Sequence, residues 1–149
     1  KRGGEFTVNQ TCGMLGNFMK ESGNSPIPND INPIAHNKSE GSRGIAQWNP
    51  QIQSDTGNRK PGNRLSLLED FAAERGEDPF TLRPQVEFVK FELETNERSA
   101  GGKLRKAKSV EDATNVFRKY YERPKLSDKD IEDRIAFAEN IFEDMEKIS

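Results

Sequence analysis

The sequence predicts a mainly helical α+β fold. Residues 7–22 and the chain from 63 onward repeat apolar side chains at helical spacing. Residues 24–63 lack that periodicity and hold Pro26, Pro28, Pro33, Pro50 and Pro61 among many Asn, Ser and Gly. About forty residues is long for a plain connection, and loops of that length are functional or disordered. One short apolar island interrupts it, Gly44-Ile45-Ala46-Gln47-Trp48, which suits a small hairpin near 34–48. The expected organisation is one domain over residues 1–149, with a small irregular or β lobe at 24–63 and a helical lobe from the remainder. The start, Lys-Arg-Gly-Gly-Glu-Phe, has neither Met nor an apolar signal region, so a piece of a larger protein is expected.

The elements follow in order. Val8, Cys12, Leu15 and Phe18 or Met19 form the stripe of the first helix, and Gly23 stops it. Cys12 lies on that stripe and reads as a buried small hydrophobe. Leu65, Leu68 and Phe71 mark a second helix, ending near Gly76. Thr81 caps the next, with Pro84 in its first turn. There Leu82, Val86, Val89 and Leu93, joined by Phe88 and Phe91, predict a helix buried on most sides. Ser99 to Lys103, with Gly101-Gly102, reads as a turn. Ser109 and Asp112 form a capping box for a helix through Val116, Phe117, Tyr120 and Tyr121, which Pro124 ends. Ser127 and Asp130 start the last helix, carrying Ile131, Ile135, Ala138, Ile141, Phe142 and Met145.

Composition narrows the chemistry. Of 149 residues, 32% are hydrophobic and 32% charged, and there is one Cys and one His. Those two counts exclude a disulfide framework, a Cys/His zinc site and a CxxC redox pair. Only His36 could serve a triad as base, and it reads as a surface residue. The net charge is −2 with no basic block, which argues against nucleic acid. No apolar run reaches membrane-spanning length. No Asp-x-Asp-x-Asp-Gly loop appears, so no metal and no cofactor are expected. What remains plentiful is carboxylate, with 25 Asp and Glu.

Glu21 is the carboxylate of interest. It lies in the last turn of the first helix, three residues after Phe18, at the edge of the apolar stripe. Desolvation and the negative end of the helix dipole both disfavour its ionised form and raise its pKa. A carboxylic acid kept protonated near neutrality can protonate a leaving group. The plain alternative is a solvated glutamate at a helix end.

The segment Gly16-Asn17-Phe18-Met19-Lys20-Glu21-Ser22-Gly23, followed by Gly44-Ile45-Ala46-Gln47-Trp48, resembles the lysozyme superfamily, and more closely the phage tail lysozyme domain. Arg64-Leu65, Gln85-Val86-Glu87-Phe88-Val89, Glu92-Leu93, Tyr121-Glu122-Arg123-Pro124 and Arg134 extend the resemblance in order, from about Gly13 to Ile141. It implies a lysozyme-like fold, a helical lobe with a small β-hairpin lobe after the first core helix. It also implies a phage virion or tail protein that acts on the bacterial cell wall. The partners implied are peptidoglycan glycan strands and other phage tail proteins, with neither nucleic acid nor membrane.

The activity implied is cleavage of the β-1,4 bond between N-acetylmuramic acid and N-acetylglucosamine, with Glu21 as the acid. Gln47 and Trp48 match the segment lining the substrate groove. Trp48 either stacks on a sugar or anchors the hairpin. Of Tyr120 and Tyr121, one belongs to the core and the other contacts sugar or Glu21. Asp30 and Glu40 are the candidate second carboxylates, each with the alternative of a solvated loop residue. With neither in place, Glu21 would act alone as acid and base, as in lytic transglycosylases. A non-catalytic wall-binding tail module and another glycosidase on the same scaffold are the remaining alternatives.

Overall fold

The computed structural model describes residues 5–23, 31–50, 63–123 and 127–148. Among them it has six α-helices: α1 (Val8–Ser22), α2 (Arg64–Glu74), α3 (Leu82–Glu94), α4 (Arg98–Arg105), α5 (Val110–Phe117) and α6 (Asp128–Ile148). A π-helical turn, Arg118–Glu122, continues α5. No helix among the described residues is long and apolar enough to cross a membrane.

Side-chain caps set several starts. Thr7 and Gln10 form a reciprocal capping box on α1. Asn63 caps α2 through Ser66 N, and Ser109 Oγ accepts from Asp112 N at the start of α5. Thr81, expected as the cap of α3, makes no side-chain cap; its hydroxyl donates to the Asp78 carbonyl.

Two of the helical expectations are corrected. The Ser99–Lys103 turn is part of α4. Its glycine pair does not break the helix, because Gly101 lets α4 lie directly on the Leu93 carbonyl, where a Cβ would collide. Nor is α3 buried all round: Leu82, Val86 and Phe91 stand 40–50% exposed. Its inner face is Pro84, Gln85, Phe88, Val89, Glu92 and Leu93.

Helix α1 packs on α5 and α6, which also pack on each other; α3 packs on α2 and α4, and α4 on α5. Gly13 and Gly16 make the first trio possible. A Cβ on Gly13 would stand 2.7 Å from the Ala113 and Thr114 backbone, and one on Gly16 2.6 Å from the Arg134 carbonyl. Beside them Asn17 Nδ2 donates to the Gly13 and Thr114 carbonyls at 2.8 and 3.1 Å. Cys12 is fully buried, its Sγ 3.6 Å from Met145 Sδ of α6. An aromatic row of Trp48, Phe88 and Phe71, with centroids 5.2–5.5 Å apart, joins the 31–50 segment to α3 and α2.

The hairpin expected near 34–48 forms no strand. Two isolated antiparallel bridges, His36 to Arg43 and Arg43 to Trp48, are its only β pairing among the described residues. The tight turn at 44–47 leaves no room for a ladder: Gly44 has φ 90° and Gln47 φ 53°. Side chains hold the segment instead. Gln85, fully buried, accepts from Ile45 N at 2.9 Å and donates to the Pro33 and Pro79 carbonyls.

Candidate active site

A cavity of about 470 Å³ opens where the end of α1, the 37–49 loop, the start of α2 and the π-helical turn meet. Glu21, Glu40, Gln47, Arg64, Glu122 and Arg123 bring their side chains to its wall, with Asn37, Ser42, Ala46 and Asn49 between them. The wall is polar, and three of its ten residues are glutamates.

Glu21 ends α1 with its Oε2 2.7 Å from Arg134 Nη2. Arg134 reaches it from α6, 113 residues away, and is buried. Its other nitrogens are fixed as well: Nη1 donates to Asn17 Oδ1 at 2.8 Å and Nε to Asp130 Oδ2 at 2.9 Å. Burial pushes the Glu21 carboxyl above its ordinary pKa of 4.5. The Arg134 charge and hydrogen bond oppose that shift, and the Asp130 and Glu40 charges add to it. Two helices thus place a carboxyl that is both oriented and inclined to hold its proton.

Glu122 sits on the π-helical turn, next to Arg123 in the left-handed conformation at φ 52°. Burial raises its pKa well above 4.5, and the Glu21 charge raises it further, against Arg134 and Arg64.

Behind the wall lies a closed polar cluster. Arg64 gives a two-nitrogen fork to Glu92, at 2.8 and 3.0 Å, and donates to the Tyr121 carbonyl at 3.3 Å. Trp48 Nε1 donates to Glu92 Oε1 at 3.0 Å, and the Tyr121 hydroxyl donates to the same oxygen. Trp48 is 1% exposed and Tyr121 0%, so both rings are core and neither presents a face to the cavity. Of the two readings for Trp48, the structure gives the core anchor and not the sugar platform, and the cause is the buried Glu92 acceptor. Tyr120 is half-buried with Lys103 and Lys119 over its ring, and it does not line the cavity.

Of the remaining candidates, Gln47 and Glu40 are on the wall with Glu21. Gln47 Nε2 donates to the Gly44 and Ala35 carbonyls, which fixes its amide in the turn. Glu40 is exposed. Asp30 lies outside the described residues. His36 is exposed and off the wall. Among the described residues no group of three or more His, Cys, Asp or Glu could hold a metal ion.

Arg134 and Glu122 carry no role in the sequence reading, although both stand in segments that carry the resemblance. The signal for Glu122 was its place in Tyr121-Glu122-Arg123-Pro124, a charged pair held between an aromatic residue and a helix stop.

A family model described as Phage tail lysozyme matches residues 2–145, nearly the whole chain. No curated protein and no solved structure matches it.

Proposed function

The chain belongs to the phage tail lysozyme family, and on that premise we propose that it is a muramidase with Glu21 as its general acid. Membership makes it a peptidoglycan-lytic enzyme. The bond proposed is the β-1,4 link between N-acetylmuramic acid and N-acetylglucosamine, cut by a phage tail component working on the cell wall. The observation that carries Glu21 is its carboxyl on the cavity wall, desolvated enough to favour the proton and held in one orientation by Arg134.

In this reading a glycan strand lies in the cavity between the helices and the 31–50 segment, which act as the two lobes of one domain. Glu21 gives its proton to the glycosidic oxygen. The C1–O bond breaks with its electron pair going to that oxygen, and the sugar ring takes on oxocarbenium character. The Gln47 amide plane, fixed in its turn, meets an N-acetyl or hydroxyl group. Water then closes the reaction by hydrolysis. Attack by the sugar's own C6 hydroxyl would give an anhydro product instead. Two further glutamates on the same wall favour hydrolysis, since a second carboxylate is what activates water or captures the sugar.

The test is clearing of a peptidoglycan suspension by the wild type and by Glu21→Gln. Loss of the acid should slow clearing on the order of a hundredfold or more. Wild-type clearing by Glu21→Gln overturns the assignment. Binding to the wall with no released muropeptides, even from wild type, would mark a non-catalytic tail module. Mass spectrometry separates reducing-end from anhydro products.

A further inference from the structure

Three arginines stand in or behind the cavity wall, and two of them are spent. Arg64 turns its Nε–Nη2 edge to Glu92, and Arg134 turns the same edge to Asp130 and Glu21. Their side chains are 9% and 3% exposed. Arg123 differs. It lies on the wall with its side chain 32% exposed, and its Nη1 alone is engaged, donating to Glu97 Oε1 at 2.9 Å and to the Tyr120 carbonyl at 2.7 Å. Its Nε and Nη2, the edge that the other two use as a fork, bond to no described residue.

That edge is held in place. Arg123 N donates to the Arg118 carbonyl at 2.8 Å and closes the π-helical turn, with the residue at φ 52° and ψ 48°. Glycine adopts that left-handed conformation freely, whereas a residue with a side chain does so at a cost. Two bonds at Nη1, one of them to the buried Glu97, then fix the guanidinium plane.

Charge decides what the edge can take. Parallel N–H groups fit a planar oxygen acceptor, either a carboxylate or a carbonyl. Glu97 already opposes the Arg123 charge, and Glu21, Glu40 and Glu122 share the wall. A carboxylate would gain little attraction there and would meet like charge. A neutral carbonyl meets neither obstacle. Gln47 cannot serve it, because both Nε2 protons go to the Gly44 and Ala35 carbonyls and only its Oε1 acceptor is left.

We propose that Arg123 is a substrate-binding residue whose Nε–Nη2 edge donates to an amide carbonyl of the glycan. The inference rests on the cavity being the glycan site. Two carbonyls have that chemistry: the N-acetyl group of either sugar, and the amide that joins the muramic-acid lactyl group to its stem peptide.

The experiment uses the full chain with Arg123 and with Arg123→Lys, which keeps a cation for Glu97 but lacks the fork. The probes are a peptide-bearing wall tetrasaccharide, the same tetrasaccharide stripped of peptide by an amidase, and chitotetraose. Binding is followed in the Glu21→Gln background by NMR, including the Arg123 Nε–H signal. That signal should move with the peptide-bearing probe, and Arg123→Lys should weaken its binding on the order of tenfold at an unchanged melting temperature. With Glu21 intact, KM should rise by a similar factor while kcat holds, a split that a purely structural role would not give. Weakening for all three probes assigns the N-acetyl carbonyl, and weakening for the peptide-bearing probe alone assigns the lactyl amide.

An Arg123 signal that stays put while other residues respond overturns the proposal. So does weakening confined to the stripped probe, whose lactyl group is a free carboxylate, or a fall in kcat at constant KM. Should Arg123→Lys fail to fold, the Nε–H signal of the native arginine decides alone. Probes that move no signal anywhere overturn the glycan cavity and this proposal together. Undiminished clearing by Glu21→Gln removes only the acid assignment, since the Arg123 contact involves no proton transfer.

Discussion

Arg134 sets the balance at the site. It is the one side chain bonded to Glu21, Asp130 and Asn17 together, so it ties the end of α1 to α6. It also pulls the Glu21 pKa down against burial. Replacement by Met should therefore act twice. Removing one partner of a buried ion pair strands the other charge, so stability should fall by about 3 kcal/mol or more in urea denaturation. In what remains folded, Glu21 loses its cation and the alkaline limb of activity should move to higher pH. An unmoved limb in that variant would mean that Arg134 does not act through the Glu21 proton. Glu21 was legible in the sequence because its environment is local, a helix end beside Phe18. Arg134 was not, because 113 residues separate the partners and no spacing rule reaches that far. Trp48 showed the converse limit: an aromatic in a polar loop reads equally as sugar platform or core anchor, and only the buried Glu92 acceptor behind it decides for the core.

At the scale of elements, two glycines test how the helices are fitted together. Gly16 of α1 and Gly102 of α4 both sit in helices, where Ala is intrinsically favoured over Gly by about 1 kcal/mol. Their surroundings differ. A Cβ at Gly16 would meet the Arg134 carbonyl at 2.6 Å and Ala138 Cβ at 2.7 Å, whereas at Gly102 nothing lies within 4 Å. Gly102→Ala should therefore stabilise by about 0.5–1 kcal/mol with clearing activity unchanged. Gly16→Ala should destabilise by about 1–3 kcal/mol from overpacking and slow clearing as well, since it displaces the backbone that carries Arg134. Stabilisation by Gly16→Ala would show that α6 can move away freely. Two helix starts were legible, since the Ser109 and Ser127 caps are written in adjacent residues, whereas Thr81 makes no side-chain cap. The misreadings arose where a residue's role is tertiary. Gly101 looked like a turn but serves the close approach of α4 to α3. The apolar pattern of α3 looked enclosed, yet among the described helices α2 and α4 are its main neighbours, and Leu82, Val86 and Phe91 stand exposed. The π-helical turn that carries Glu122 to the cavity has no local signal short of the Pro124 stop.

For the whole molecule, the site is a cost to the fold, and its sign can be read against pH. Glu21 and Glu122 have raised pKa values when folded, through burial in both cases. In the unfolded chain each returns to the ordinary 4.5. Below that value both states hold the protons and the two residues cost nothing. As pH rises past it, the unfolded chain ionises first, the folded chain binds more protons, and stability falls until the folded groups also ionise. Asp133 pulls the other way, because bonds from Lys129 and Lys20 hold its pKa below the ordinary 3.8. Its contribution is present above that value and is lost as pH falls through the folded pKa. Stability should therefore peak on the mildly acidic side and decline toward alkaline pH. Melting curves at about pH 5 and about pH 8 check this, with the wild type melting lower at the higher pH. Glu122→Gln carries no titrating group there, so it should match wild type at the acidic value and melt above it at the alkaline one. A wild-type melting temperature that climbs steadily through neutrality would mean that the cavity carboxyls ionise freely in the folded state. A site that must keep protons on buried carboxyls thus gives up stability in the pH range where an ordinary surface would be most stable.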